Sequence, residues 1–413
     1  MRVGFNAFFM GQESTGSGQY TRQLLRALAQ LDKRNEYLLF KLERAGFSVA
    51  RPGGQYQGAR GFWEGIKSWT SQALGTPFAQ RSKDLDKLWF EQVAFPRACR
   101  SASVDLAHVP YFASPLCPAV PTVVTIHDLI PLLLPSYRGS ILVRLYMLLV
   151  AAAARQADLI ITDSLHSKRD IVEHLRLPPE RVHVVYLAAD SACHPVLDEG
   201  ALDAVRRKYG LPDTYVLYLG GFDKRKNLNT LFQAYTHVTE ELMGGAPPLV
   251  VAGRLPAVAT PLFPDPKWMA RELGIERRVI FTGWVAEEDK PALYSGALFF
   301  TFLSLYEGFG LMPLEAMSCG IPVLAARSAS LPEIVGSGGL LVDPADLDEI
   351  QEGMTSLLRD SVLRQRLSQD ALVQAAKFDW KRTAEHTLQL YDLVIGGPGV
   401  PSDSRLEDAG SFD

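Results

Sequence analysis

The sequence predicts an α/β protein made of two parallel-sheet domains. Three observations carry that expectation. Short apolar runs of strand length alternate with amphipathic helical stretches along most of the chain. The alternation breaks over a linker-like stretch at 194–214 and then starts again. A chain of 413 residues also exceeds what one ordinary hydrophobic core organises.

In chain order, RVGFNAF opens as a strand at residue 2 and feeds the glycine-containing loop MGQESTGSG. QYTRQLLRALAQL has the 3.6-residue spacing of an amphipathic helix, and YLLFKL reads as the second strand. Residues 45–82, rich in Gly and Gln and carrying Trp63 and Trp69, read as a long irregular excursion on the substrate side. A helix is expected over 85–101, with Trp89 and Phe90 on it. VDLAHV, TVVTIHDL and ADLIITDS are short apolar strands, each ending in polar residues. A helix at 141–156 separates the last two, SKRDIVEHL forms another, and VHVVYLAAD closes the half.

HPVLDEGALDAVRRKYGLPDT, at 194–214, reads as a linker with one short helix. The second half then runs strand YVLYLGG, helix KNLNTLFQAYTHV, strands PLVVAGR and RVIFTGW, and helix EEDKPALYSG. ALFFTFL, PVLAAR and GLLVDP complete a parallel pattern. Helices follow at 346–359 and 361–377, and FDWKRTAEHTLQLYDLV forms the last. The expected domains are 1–195, with 380–396 returning to it, and 200–379. The Gly-, Pro- and acid-rich tail 397–413 predicts disorder.

Composition narrows the class. Hydrophobic content of 47% and charged content of 21% are those of an ordinary soluble protein. The stretch nearest to a membrane span, 139–157, is interrupted by Arg144 and Arg155 and reads as a buried or half-buried helix. The N-terminus lacks a signal-peptide layout. Cys99, Cys117, Cys193 and Cys319 are scattered without metal-ligand spacing or a disulfide framework, which fits a reducing cytoplasm. The net charge of −4 divides into +6 over residues 1–195 and −10 over the rest. A basic first half points to an anionic partner there, a phosphorylated acceptor or a lipid surface; a solvated basic face accounts for it as well.

The stretch Ser304-Leu-Tyr-Glu-Gly-Phe-Gly-Leu-Met-Pro-Leu-Glu315 follows the apolar strand and precedes a helix that Pro313 suits in its first turn. Ligands of open α/β sheets bind at such strand ends, and helix-start N–H groups attract anions. Gly308 and Gly310 let backbone approach a ligand. Glu315 can accept a pair of hydroxyls such as a ribose offers, though helix-dipole and capping preferences also place glutamates there.

Arg225 and Lys226 lie between the YLGG strand and a helix; a guanidinium fork and a compact ammonium suit phosphate oxygens. A solvated basic loop is the plainer reading. Gly16 and Gly18 sit in a strand-to-helix loop, where the alternative is an N-cap by Ser17. His127 ends the strand TVVTIH, where an imidazole can bond a hydroxyl or carry a proton; Asp128 can orient it or cap the next loop.

Taken together, these motifs resemble the retaining glycosyltransferases of family 4, which have the GT-B fold. Glu307 and Glu315 match the family's Glu-x7-Glu pattern. TGSGQYT at 15–21, TIHDLIPLLLP at 125–135, TDSLHSKRDI, RVHVVYLAAD, YLGGFDKRKNL, VVAGR and SLPEIVGSGGLLVDP follow in family order. The resemblance runs from residue 2 to about 395. It implies two Rossmann-like domains with parallel sheets facing across a cleft, and a C-terminal helix crossing back near Trp380. It implies transfer of a hexose from a nucleoside-diphosphate sugar with retained configuration, without a metal or a bound cofactor. The co-substrate is of GDP or UDP type, with mannose-type donors favoured and glucose-type open. The acceptor is a saccharide or a lipid-linked saccharide; peripheral membrane contact through the first domain at the inner face is allowed, and nucleic acid is not a partner.

By the same resemblance, Arg225 and Lys226 hold the leaving diphosphate and Glu307 faces the transferred sugar. Phe309, Gly310 and Leu311 offer backbone N–H groups, and Glu315 binds the ribose. His127 touches the sugar, and Gly18, with Gly16 beside it, approaches the diphosphate. Arg254 is a weaker candidate near the nucleotide, and Glu333 is either a donor contact or a plain helix or turn acid. One departure stands out: many relatives carry Arg after the first Gly of the YLGG motif, where this chain has Gly221. Other classes are a non-catalytic sugar-nucleotide-binding protein, and an epimerase or phosphorylase on the same frame.

Overall fold

The structure is a computed structural model that describes residues 1–12, 15–42, 69–78 and 82–396. Trp63, most of the expected excursion and the expected disordered tail lie outside the described residues. The chain divides into two compact units, Met1–Leu187 with Trp380 onward, and Ala188–Asp379. Residues 188–195, grouped by the sequence with the first domain, go with the second. The chain runs on from this segment into the second unit, where Val196 N donates to Ser295 Oγ at 3.0 Å.

Among the described residues the first unit holds seven parallel strands: β1 (Arg2–Asn6), β2 (Glu36–Leu42), β3 (Trp69–Leu74), β4 (Leu106–Val109), β5 (Thr122–Thr125), β6 (Leu159–Thr162) and β7 (Val182–Val184). Their spatial order is β3-β2-β1-β4-β5-β6-β7. The second unit holds six: β8 (Val216–Leu219), β9 (Leu249–Ala252), β10 (Val279–Gly283), β11 (Phe299–Phe302), β12 (Val323–Ala326) and β13 (Gly339–Val342). Their order, β10-β9-β8-β11-β12-β13, repeats the first six positions of the other sheet. Central strands of both are buried at every residue, as helices on both faces require. In such sheets the ligand crevice opens where strand order reverses, here at β1/β4 and at β8/β11.

The strand β3 and the short helices Ile130–Leu133, Pro266–Glu272 and Leu331–Val335 were not read from the sequence. β3 lies inside the expected excursion as an edge strand in register with β2, with Trp69 stacked on Tyr37 at 4.5 Å. Its sequence, WTSQAL, is too polar to stand out. The helix Pro266–Glu272 is short and starts from an Asp265 cap. Trp89 packs edge-on against Phe78, so Trp69 and Trp89 have packing partners.

The last helix, Trp380–Ile395, packs on the first, Gly16–Leu31, within the first unit. Its inner face is tied by polar contacts: Thr383 Oγ1 donates to Tyr186 O at 2.7 Å, and Tyr391 OH bonds His108 Nδ1. His108 Nε2 reaches Thr125 Oγ1 at 2.9 Å, and Thr125 Oγ1 meets Tyr20 OH at 3.1 Å. Burial pushes the His108 pKa down to about 3, so this chain of bonds is neutral.

Candidate active site

The second unit gathers charge at its strand-order reversal. After β8, a short turn at Lys224–Lys226 leads to Asn227, whose φ of +57° begins the helix Leu228–Glu241. Asparagine tolerates that left-handed conformation, and its Nδ2 donates to Pro344 O at 3.0 Å. After β11, the chain turns through Ser304 to Glu307. Leu305 N donates to Arg225 O at 2.8 Å, which locks the two turns together.

Glu307 Oε1 is the focus. It lies 2.6 Å from Lys226 Nζ and 2.7 Å from an Arg225 guanidinium nitrogen, and accepts from Ser304 Oγ at 2.6 Å. Arg225 also donates to Tyr306 O at 2.6 Å and lies 3.3 Å from Asp223. Lys226, only 6% exposed, has its ammonium 4.8 Å from the Phe302 ring centre. A buried ammonium needs such partners to remain charged. Burial alone would raise the Glu307 pKa; Lys226 and Arg225 outweigh it and hold the carboxyl below its ordinary value. The structure thus brings together Arg225, Lys226 and Glu307, which lie about eighty positions apart. Gly221 brings no side chain to the loop, and Arg225 supplies the guanidinium of the cluster.

The turn beyond Glu307 is fixed from β12. Ser330 Oγ is within 2.9 Å of Glu307 O and 2.6 Å of Phe309 O. Phe309 is buried with its ring against Phe378. Gly310 has φ +122°, and a Cβ there would come within 2.9 Å of Leu331. Only glycine fits that backbone. Leu311 starts the helix Leu311–Ser318, whose N-cap, Gly310, brings no side chain to its first N–H groups.

Glu315 is buried in that helix, past its first turn, and does not cap it. Tyr294 OH donates to its Oε2 at 3.0 Å, and Lys290 Nζ lies 3.9 Å from the same oxygen. Burial raises its pKa more than Lys290 and Tyr294 lower it. Glu333 sits in the first turn of the helix Leu331–Val335. Arg254 is exposed beyond the end of β9, one strand away from the reversal.

In the first unit, His127 follows β5 and its Nδ1 lies 2.6 Å from Asp163 Oδ2, at the end of β6. Burial pulls the imidazole pKa down, but Asp163 outweighs it and the pKa lies above the ordinary histidine value. Nε2 is buried, and the Pro110 backbone beside the ring also favours the charged imidazole. The Tyr20 ring stands edge-on at 4.8 Å. Asp128 accepts from Ile130 N at 2.9 Å, so it caps the following loop, and Asp163 orients the histidine. Sequence reasoning missed Asp163; its signal was the polar end of ADLIITDS.

The glycine loop also differs from its simplest reading. Thr15, not Ser17, caps the helix, its Oγ1 accepting from Gly18 N at 3.1 Å. Ser17 O instead accepts from Thr21 Oγ1. A Cβ at Gly18 would meet Gln12 O at 2.1 Å, so its close approach is to its own loop. Gly16 is exposed and has open space around it.

A further buried carboxylate lies near the β1/β4 reversal. Glu91, in a π-helical turn at Phe90–Ala94, accepts from Tyr146 OH at 2.9 Å and lies 3.6 Å from Lys87. Burial outweighs those contacts and pushes its pKa up to about 7.

Comparison with known proteins places this geometry. The profile described as "Glycosyl transferases group 1" matches residues 203–373, and "Glycosyltransferase Family 4" matches residues 14–192. The O-antigen chain mannosyltransferase B of Escherichia coli is 35% identical over 274 residues, 66% of this chain and 70% of that protein. The protein belongs to glycosyltransferase family 4. A second Escherichia coli relative, the serotype-specific mannosyltransferase WbdA, is 33% identical over 296 residues, 71% of this chain but 35% of that protein. Among solved structures, Anabaena Alr3699/HepE in complex with UDP-glucose superposes with a TM-score of 0.68 at 18% identity, covering 95% of this chain and 100% of that one. That likeness is one of fold, and it makes this family 4 member a GT-B protein of two Rossmann-like domains. The family match makes it a glycosyltransferase.

Proposed function

We propose that the protein moves a hexose from a nucleoside-diphosphate sugar to a saccharide, free or carried on a lipid, with retention and without a metal. The observation that carries this reading is the meeting of Lys226, Arg225 and Glu307 at the β8/β11 reversal. Two cations beside one carboxylate suit a sugar diphosphate. The cations take the anionic leaving group and the carboxylate takes the sugar, so the bond to be broken spans the cluster. The first-turn N–H groups at Leu311 add anion-binding capacity. Glu315 binds the ribose hydroxyls, held in place by Tyr294.

Glu307 acts electrostatically in this scheme. Its Oε1 already accepts from three donors, which weakens it as a nucleophile. The bond from the anomeric carbon to the phosphate oxygen breaks as the acceptor oxygen bonds the same face. The acceptor proton passes to the departing phosphate. Lys226 and Arg225 stabilise the charge that develops there. His127, held by Asp163, offers Nε2 to a sugar hydroxyl.

Mannose on GDP is the favoured donor, because the relatives at 33–35% identity are mannosyltransferases. UDP-glucose is the alternative, since Alr3699/HepE holds it on the same fold. A thermal-shift screen of nucleotide sugars, followed by mass analysis of products, tests the reading. The true donor raises the melting temperature in proportion to ln(1 + [L]/Kd), and product gains one hexose. Stabilisation by a donor without transfer to any acceptor points instead to a binding protein.

A further inference from the structure

The helix Ile141–Ala154 has two unlike halves. Its second half is core: Met147, Val150, Ala151, Ala153 and Ala154 are buried. Its first two turns are apolar and uncovered. Ile141, Leu142, Val143, Leu145 and Leu148 are 72, 74, 41, 59 and 64% exposed. Single exposed leucines are ordinary; Ile141, Leu142, Leu145 and Leu148 fall on one face of the helix and make a shared apolar surface. The helix start is capped by Ser140, whose Oγ accepts from Val143 N, so the surface is presented on formed structure.

The helix and the chain flanking it carry charge of one sign, although Asp84 of another helix acts on Tyr146. Residues 129–157 contain Arg138, Arg144 and Arg155 and no Asp or Glu. Arg138 and Arg144 are exposed at the start of the helix. A second copy of the chain meeting this face across a two-fold axis would bring the same arginines together, which repels. An apolar layer edged by anions satisfies both features at once. We propose that the first two turns of this helix insert into the interfacial layer of a membrane bearing anionic lipid headgroups. Their leucines would sit about 5–10 Å deep, with the arginines reaching up to the phosphates. The helix, at 14 residues, is too short to cross, and none of the described helices is long and apolar enough to do so. This surface belongs to the first unit alone and does not depend on the donor reading.

Sedimentation of the full chain with lipid vesicles tests the proposal. The protein is expected to sediment with phosphatidylglycerol/phosphatidylcholine vesicles, and far less with phosphatidylcholine alone. Ile141→Ser, Leu142→Ser, Leu145→Ser and Leu148→Ser combined should weaken binding at least about tenfold, since buried apolar area sets interfacial affinity. Arg138→Glu with Arg144→Glu should weaken it comparably and remove its dependence on salt. All six positions are exposed, so circular dichroism and melting should be unchanged; if the serine variant misfolds, the arginine pair still decides. No sedimentation, equal binding to both vesicle types, or undiminished binding by the variants overturns the proposal. So does a wild-type dimer that the serine variant converts to monomer without any lipid binding, which assigns the face to self-association.

Discussion

Glu91 in the first unit and Glu307 in the second respond oppositely to their surroundings. Glu91 in the first unit has one cation, Lys87, at 3.6 Å, and its pKa rises to about 7. Glu307 in the second has Lys226 at 2.6 Å and Arg225 at 2.7 Å, and its pKa falls below the ordinary value. Both sheets share a strand order and open a crevice at the same reversal. The difference therefore comes from the loops: the β8 and β11 turns bring two cations to one carboxylate, enough to reverse the effect of burial. At these two positions the second unit keeps the carboxylate charged and the first suppresses its charge.

Removing either member of the Lys226–Glu307 pair should have the largest effect. Lys226→Ala or Glu307→Ala is expected to lower transfer by about 10²–10³-fold, the range for losing one transition-state contact. Both variants should retain the far-ultraviolet signature of the fold. Turnover near wild type in either, with the fold intact, breaks the assignment.

The next effect lies in the other unit. Glu91 keeps its proton to about pH 7 when folded but loses it near its ordinary value of 4.5 when unfolded. Its folded pKa is raised, so it contributes stability below pH 4.5 that is lost as pH rises through 7. Glu91→Gln should flatten that fall, a difference of up to about 3 kcal/mol at pH 8. Calorimetric melts of wild type and variant at pH 5 and pH 8 measure it. Parallel pH dependences would show that Glu91 is not the titrating group.

A smaller effect is expected at Asp163. Asp163→Asn removes the carboxylate that raises the His127 pKa, so the histidine should titrate at lower pH in NMR spectra. Transfer should fall about tenfold, the scale of a 1.4 kcal/mol loss of positioning, with its pH profile displaced in the same sense. Asp163→Glu should partly restore both. An unmoved titration would leave Asp163 a packing residue.

Much of this was legible in the sequence because it is local. The strand-turn-helix layouts around Glu307 and around Arg225 show their positions, and a parallel sheet brings both turns to one edge. Gly310 was legible for a similar reason, since its turn demands a backbone only glycine adopts. Contacts chosen by tertiary packing were not. His127 has an adjacent carboxylate in Asp128, but the sheet register presents Asp163, 36 positions away, to its ring. Thr15 was overlooked as a cap beside the equally suitable Ser17, and β3 because edge strands carry little apolar pattern. Glu315 was read as a helix-start acid or a ribose ligand, and its bond to Tyr294 joins separate helices. Glu91 drew no notice, because its burial depends on Tyr146 from a helix that the sequence showed only as apolar.

A crystal structure with GDP-mannose, or with whichever nucleotide sugar gives the largest thermal shift, tests the central claim most directly. The diphosphate should lie within hydrogen-bonding distance of Lys226 and Arg225, with the sugar against Glu307 and the ribose on Glu315. A diphosphate bound away from the β8/β11 turns, with Lys226 still paired only to Glu307, would contradict it.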